Sequence, residues 1–327
     1  MRERHMKSTK ANVVVRRTFG VFVLVLISCC VAPGLLHAAK TPSSQSTQRT
    51  FATPKEAVEA LINAAENYDV SALMAIFGPE GEDLVSSADP VRDKNNAAAF
   101  AAKAREKKRI TVDPKDRKRV ILSVGDEDWL VPVPLVDRNG RWVFDTKAGH
   151  DEIISRRIGA NELDAIQICR GYVEAQHEYA LTKHDGAEAN QYAQRIISTP
   201  GKQDGLAWQN PDGSWGGPVG EGVAKALEQG YSDRSQPYHG YYFKILKGQG
   251  PSAPLGTMNF VVNGAMIGGF ALVAAPAEYR LTGVKTFMVS YQGIVYEKDL
   301  GPDTLNIFKN MEVYDPDKSW HRTNDSW

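Results

Sequence analysis

Cysteine is nearly missing from this sequence. Of the three present, Cys29 and Cys30 sit near the N-terminus and only Cys169 lies in the body of the chain. One body cysteine excludes an internal disulfide framework and a cysteine-built structural zinc site. An excess of charge is missing too: 39 Lys and Arg balance 39 Asp and Glu. With a formal net charge of +0, no global basic field draws nucleic acid. The short runs Lys107-Lys108-Arg109 and Arg117-Lys118-Arg119 are surrounded by Asp113, Asp116, Asp126, Glu127 and Asp128, and read as solvated faces. Past the N-terminus no apolar run is long enough to cross a bilayer.

Complete catalytic and cofactor motifs are also lacking. "HEYALTKH" begins with His177 and Glu178, but the zinc-protease spacing needs a second His where Leu181 stands. "STPGKQDG" offers Gly201-Lys202 without the upstream glycine or the following Ser/Thr of a phosphate loop. No G-x-S-x-G nucleophile elbow appears. Cys169 falls mid-helix on an apolar face and reads as a small buried hydrophobe. The sequence therefore assigns no cofactor and no metal.

The N-terminus is more telling. A basic stretch ends at Arg16-Arg17, "FGVFVLVLISCCVAPGLL" follows, and "LHAAK" offers small residues for cleavage after Ala38. That is the layout of a secretory signal peptide over residues 1–38. A competing pattern, "LISC", would place a lipid on Cys29. The expectation is a periplasmic or secreted protein, with a lipoprotein anchored at Cys29 as the alternative and no membrane span in the mature chain. Residues 39–50 form a polar linker.

Residues 51–155 read as one α+β domain. "TPKE" opens a helix with Thr53 as cap, Pro54 at the first position and Glu56 closing a capping box. Val58, Leu61, Ile62 and Ala65 form its stripe. Asp69 caps a second helix, and an Ala-rich helix spans residues 95–108. The strands "RVILSVG" and "WLVPVPLV" follow, then a hairpin at Asn139-Gly140. Pro132 and Pro134 mark an edge or a bulge. On "ATPKEAVEALINAAENYDVSALMAIFGP" and "RNGRWVFDT", this half resembles cystatin-like, nuclear-transport-factor-type domains. The resemblance implies a concave sheet used for pockets or protein contacts, and sometimes for catalysis.

Residues 156–327 read as a second α+β domain led by a long helix. Leu163, Ile166, Cys169, Val173, Gln176 and Ala180 share one face of it. An irregular Gly/Pro-rich connection and a short helix follow. Then come "HGYYFKILKG", "MNFVVNGAMIGGFALVAAP", "VKTFMVSY" and "GIVYEKD", an antiparallel meander. The glycines of "NGAMIGG" read as a bulge or bend. This order resembles the globular head of type IV pilins and pseudopilins, without their apolar N-terminal half-helix. The runs "FATPKEAVEAL", "FGPEGEDLVSSADPV", "YAQRIISTPGKQDGL", "PYHGYYFKIL" and "VYEKDLGPDT" span the chain after its N-terminal segment. On them the chain is identified as a member of the bacterial exported family called domain of unknown function 2950. That family implies export and no particular chemistry.

Candidate site residues are few. Glu297 and Asp299 point to the same face of a strand, where two carboxylates can split into an acid and a base. The plainer reading is a solvated strand end, with Asp299 holding the following loop and Asp303 capping a final helix. His239 is a third acid/base candidate. Trp208, Trp215, Tyr238 and Tyr241 are candidate ligand contacts; they can stack on sugars or pin a long loop to the sheet. The functional expectation is a non-catalytic binding or assembly role with an envelope protein or polymer. A periplasmic hydrolase of envelope material and a pilin-like assembly or secretion factor are the alternatives. Mass spectrometry of the N-terminus checks the export reading. Simple cleavage gives a chain beginning at Ala39; a diacylglycerol adduct on Cys29 gives the lipoprotein instead.

Overall fold

Local capping chemistry builds the first half. The computed structural model describes residues 48–233 and 235–323. The expected signal segment, Cys29 and most of the linker lie outside them. The Thr53 hydroxyl accepts the Glu56 N–H at 3.1 Å, and Glu56 reaches back to the N–H of Ala52 at 2.9 Å. Helix α1 (Pro54–Glu66) then turns Val58, Leu61 and Ile62 inward. Asp69 caps α2 (Val70–Phe77) through the Ala72 N–H at 3.0 Å. A 3-10 turn and the short α3 (Glu82–Val85) lead to α4 (Pro90–Glu106). The last begins five residues before the expected Asn95, because Asp89 caps it and Pro90 takes the first helical position.

Antiparallel strands follow: β1 (Lys108–Asp113), β2 (Asp116–Val124), β3 (Trp129–Leu130), β4 (Leu135–Arg138) and β5 (Arg141–Phe144). The order is β1-β2-β4-β5, with β3 also on β2. "WLVPVPLV" is therefore two strands and not one. Proline has no N–H to give the ladder, so the chain leaves β2 between Leu130 and Leu135 and rejoins it. The basic run at residue 108 opens the edge strand β1, where charged side chains discourage further pairing. Asn139 and Gly140 have φ of 58° and 79°, the two-residue turn that their sequence demands.

Helix α5 (Thr146–Tyr179) is 34 residues long and runs through residue 155, the expected division, without a break. Its inward face is Ile166, Cys169, Tyr172, Val173, Gln176 and Tyr179. Leu163, placed on that face by spacing alone, is 46% exposed, and the two tyrosines take up the core instead. The connection holds β6 (Trp208–Gln209), β7 (Trp215–Gly216) and α6 (Gly220–Glu228). Then come β8 (Tyr241–Leu246), β9 (Gly248–Gln249), β10 (Met258–Asn259), β11 (Val261–Val262) and β12 (Ala265–Met266). The chain closes with β13 (Ala271–Pro276), β14 (Lys285–Ser290), β15 (Val295–Asp299), α7 (Thr304–Asn310) and β16 (His321–Arg322).

The second sheet is the antiparallel meander β8-β13-β14-β15-β16. "MNFVVNGAMIGGFALVAAP" does not run as one strand into it. Asn263 and Gly264, at φ of 49° and 84°, turn β11 back on β12 as a small hairpin, where the glycines alone suggest a bulge or bend. The class is α+β, with two separate hydrophobic clusters. One centres on Phe51, Ile62, Leu122 and Phe144, the other on Cys169, Phe270, Val273 and Phe287. Among the described residues no helix is long and apolar enough to cross a membrane.

Two glycines of α5 test its seating. A Cβ at Gly149 would stand 2.5 Å from the carbonyl oxygen of Pro132 and 2.7 Å from the Val133 Cα, both backbone atoms. A Cβ at Gly159 would meet nothing within 4 Å. Gly149→Ala is expected to lower stability by about 1–3 kcal/mol through this overlap. Gly159→Ala is expected to raise it by about 0.5–1 kcal/mol through helix propensity. Urea unfolding of the two variants checks both signs.

Candidate functional site

The sequence candidates do not converge. Glu297 and Asp299 do share a face of β15, but each is engaged separately. Glu297 Oε1 faces Lys285 Nζ at 3.9 Å. Asp299 Oδ1 accepts the Gly301 N–H at 2.8 Å, and its Oδ2 accepts the Tyr279 hydroxyl at 3.2 Å. Asp299 thus holds the turn into α7, the plainer of its two readings. Asp303 occupies the cap position of α7 without a side-chain bond to the backbone.

His239 has a different set of partners. It sits at φ 51° between the half-buried rings of Tyr231 and Tyr238, with centroids 5.9 Å and 4.2 Å away. Its Nδ1 is 2.8 Å from Asp164 Oδ2, and Arg92 Nη1 donates to the same oxygen at 2.8 Å. Beside it, Asp89 is 1% exposed and fully employed. Its Oδ1 accepts the Arg92 N–H, and its Oδ2 accepts the Tyr231 hydroxyl at 3.1 Å and the Gly240 N–H at 2.8 Å. Burial pushes the His239 pKa down and the Arg92 charge adds to this, against the pull of Asp164. The neutral imidazole that results donates from Nδ1 to the carboxylate.

The four aromatic candidates are all half-buried or buried. Trp208 and Trp215 lie on the β6–β7 pair, and Trp208 stands 5.6 Å from the His184 ring. Tyr241 is wholly buried and donates its hydroxyl to the Lys285 carbonyl at 2.9 Å. Tyr238 pairs with it across the turn that carries His239. Trp208 packs against the core of the second sheet, and Tyr241 belongs to that core. Cys169 is buried as expected, and burial lifts its thiol pKa to about 12. Among the described residues no three His, Cys, Asp or Glu side chains are grouped to hold a metal.

The structure offers a concavity that the sequence reading did not name. A cavity of about 380 Å³ lies between α1, α2, α4, β3 and α5. Leu61, Leu73, Phe77, Phe100, Val131 and Ile153 supply much of its wall. Polar groups enter from α4 (Arg92, Asp93) and from α5 (Arg157, Asn161). Each is held. Arg157 donates to the carbonyls of Asp83 and Leu84 at 2.6 Å and 3.0 Å. Asp93 accepts the Ser87 N–H at 2.6 Å and its hydroxyl at 3.0 Å, while burial raises its pKa. Asn161 is 1% exposed, and its Nδ2 donates to the Thr282 carbonyl at 2.8 Å. Its Oδ1 is buried without a hydrogen-bond partner. A wider groove of about 770 Å³ is lined by Arg195, Lys202, Asp204 and Lys247 and is polar and mixed in charge.

A family model for proteins of unknown function matches residues 48–323. The chain belongs to the DUF2950 family. No curated protein and no solved structure matches it. In this DUF2950 protein the residues that sequence reasoning missed are Asp89, Arg92, Asp164, Arg157 and Asn161. Asp89-Pro90 is a helix-start signal, and reading it would have placed Asp89 and Arg92 on the first turn of α4. Asn161 carried a weaker signal, an amide one turn ahead of the apolar face of α5.

The His239 pKa gives a pH prediction. Its folded-state value lies below the ordinary 6.5, so the unfolded chain binds the extra proton. This contribution to stability is whole above pH of about 6.5 and is lost as pH falls below it. Between about pH 7.5 and about pH 5.5 the melting temperature of the wild type is expected to fall more than that of His239→Gln. Parallel pH profiles would contradict the assignment.

Proposed function

We propose that this DUF2950 protein is an exported envelope protein that binds a small, largely apolar ligand and does not transform it. The observation that carries the reading is the cavity of about 380 Å³, walled by aliphatic and aromatic side chains with a few polar groups at α4 and α5. Small-molecule sites have that size and that mixture, an apolar wall for affinity and placed polar groups for orientation. The signal-like residues 1–38 support export. The order of helices followed by an antiparallel sheet supports the cystatin-like, pocket-forming comparison for the first half. A pilin-head-like second half would serve as the partner-facing part of the same molecule.

The hydrolase reading has less behind it. Glu297 and Asp299 hold neighbouring groups on β15 and α7, and neither these two nor His239 lines the cavity. Ala97, half-buried on α4, does line it, so a bulky side chain there would fill the space. The test is binding of the neutral dye N-phenyl-naphthylamine, followed by fluorescence. The wild type is expected to bind it saturably, and Ala97→Trp to weaken binding about tenfold or more, a loss of ~1.4 kcal/mol. Equal titrations for the two proteins would sink the reading.

A further inference from the structure

One guanidinium in the cavity wall has no carboxylate bonded to it. Arg92, Arg156 and Arg157 all line the cavity. Arg92 is paired with Asp164 at 2.8 Å and Arg156 with Glu152 at 2.7 Å, and neither of those acids is part of the lining. Arg157 bonds backbone instead: Nη1 donates to the Asp83 carbonyl at 2.6 Å and Nη2 to the Leu84 carbonyl at 3.0 Å. These bonds leave the Nε–H and further N–H groups of the fork unused. Nε is not among the sealed, unpartnered atoms of the described residues, so an acceptor can reach it. The charge lies at the wall, because it acts on Asp93 and Tyr68, two other lining groups. The carboxylates of Asp93, Asp83 and Glu278 act on Arg157 through charge alone. Burial pushes the Arg157 pKa down, and those acids do not bring it back. A buried cation in that state is costly, and an anion supplied from outside the chain offsets the cost.

The rest of the lining narrows the choice. Asp93 is the one acid among the lining residues, and its oxygens are taken up by the Ser87 N–H and hydroxyl. Burial raises its pKa, which eases its repulsion of an incoming anion. A cationic head would meet three arginines and that single acid. A guanidinium fork matches a planar carboxylate edge to edge. At about 30 Å³ per water-sized group, the cavity of about 380 Å³ holds roughly a dozen non-hydrogen atoms. Resting on the reading of this cavity as a ligand site, we propose that its ligand is a medium-chain aliphatic acid, bound as the carboxylate. The carboxylate takes the unused N–H groups of Arg157, and the chain lies against Leu61, Phe77 and Phe100.

The test displaces N-phenyl-naphthylamine from the protein with decanoate and with decan-1-ol, at a pH of about 8 where the acid is ionised. The two share one chain length, and the alcohol leaves water the more readily. The expected result is displacement by decanoate at about one-tenth of the concentration that decanol needs, or less. Arg157→Gln should bring the two to parity or reverse their order. Arg156→Gln, at a guanidinium already paired with Glu152, should keep the preference. The comparison within the wild type decides even if Arg157→Gln fails to fold. Displacement by decanol at an equal or lower concentration overturns the head-group assignment, and so does a decanoate preference that survives in Arg157→Gln. Both results leave the cavity reading intact. If the dye binds Ala97→Trp as well as wild type, the cavity reading itself fails.

Discussion

The structure depends on one constraint, the seating of a single long helix. Helix α5 extends about 51 Å at 1.5 Å per residue and reaches both sheets. At its start Gly149 lets the backbone approach Pro132 and Val133. At its middle Glu162 accepts the N–H groups of Val284 and Lys285, both at 2.9 Å, which sets the helix against β14. Near its end the Gln176 amide clamps Ala193, accepting the N–H and donating to the carbonyl, each at 2.8 Å. Each contact is specific in register, because a slip of one residue turns a helix face by about 100°.

The cavity and the contact between the two sheets share residues. Arg92 and Asn161 line the cavity, and both also reach away from it. Arg92 meets Asp164, and through it His239; Asn161 meets Thr282. Partly buried ion pairs of this kind add little net stability, since desolvation offsets their attraction. What they do is fix position. Asp89, taking the Tyr231 hydroxyl and the Gly240 N–H, fastens the segment ahead of β8 to the first turn of α4.

Much of this was legible in the sequence, for physical reasons. Thr53, Asp69 and Asn139-Gly140 act locally, and caps and two-residue turns need only their neighbours. Prolines 132 and 134 signalled a damaged strand, though only the ladder shows that β2 bridges the gap. The Asn263-Gly264 hairpin was readable by the same rule as Asn139-Gly140, but its arms are two residues each, too short to show alternation. The site was harder. A cavity is a property of how α1, α2, α4 and α5 stand apart, which no local pattern encodes. Asn161 reads in sequence as one more polar helix residue; its meaning comes from Thr282, distant along the chain. Conversely, Glu297 and Asp299 looked like a chemical pair because a strand puts them on one face, and the fold gives each a separate structural partner.

The account stands or falls on whether the cavity is occupied in the cell. Native mass spectrometry of the protein purified from the cells that make it, sprayed without denaturation, measures this directly. A ligand-binding cavity predicts a discrete mass excess that disappears on acid denaturation and yields a small, largely apolar molecule. A bare polypeptide mass under the same gentle conditions would contradict it.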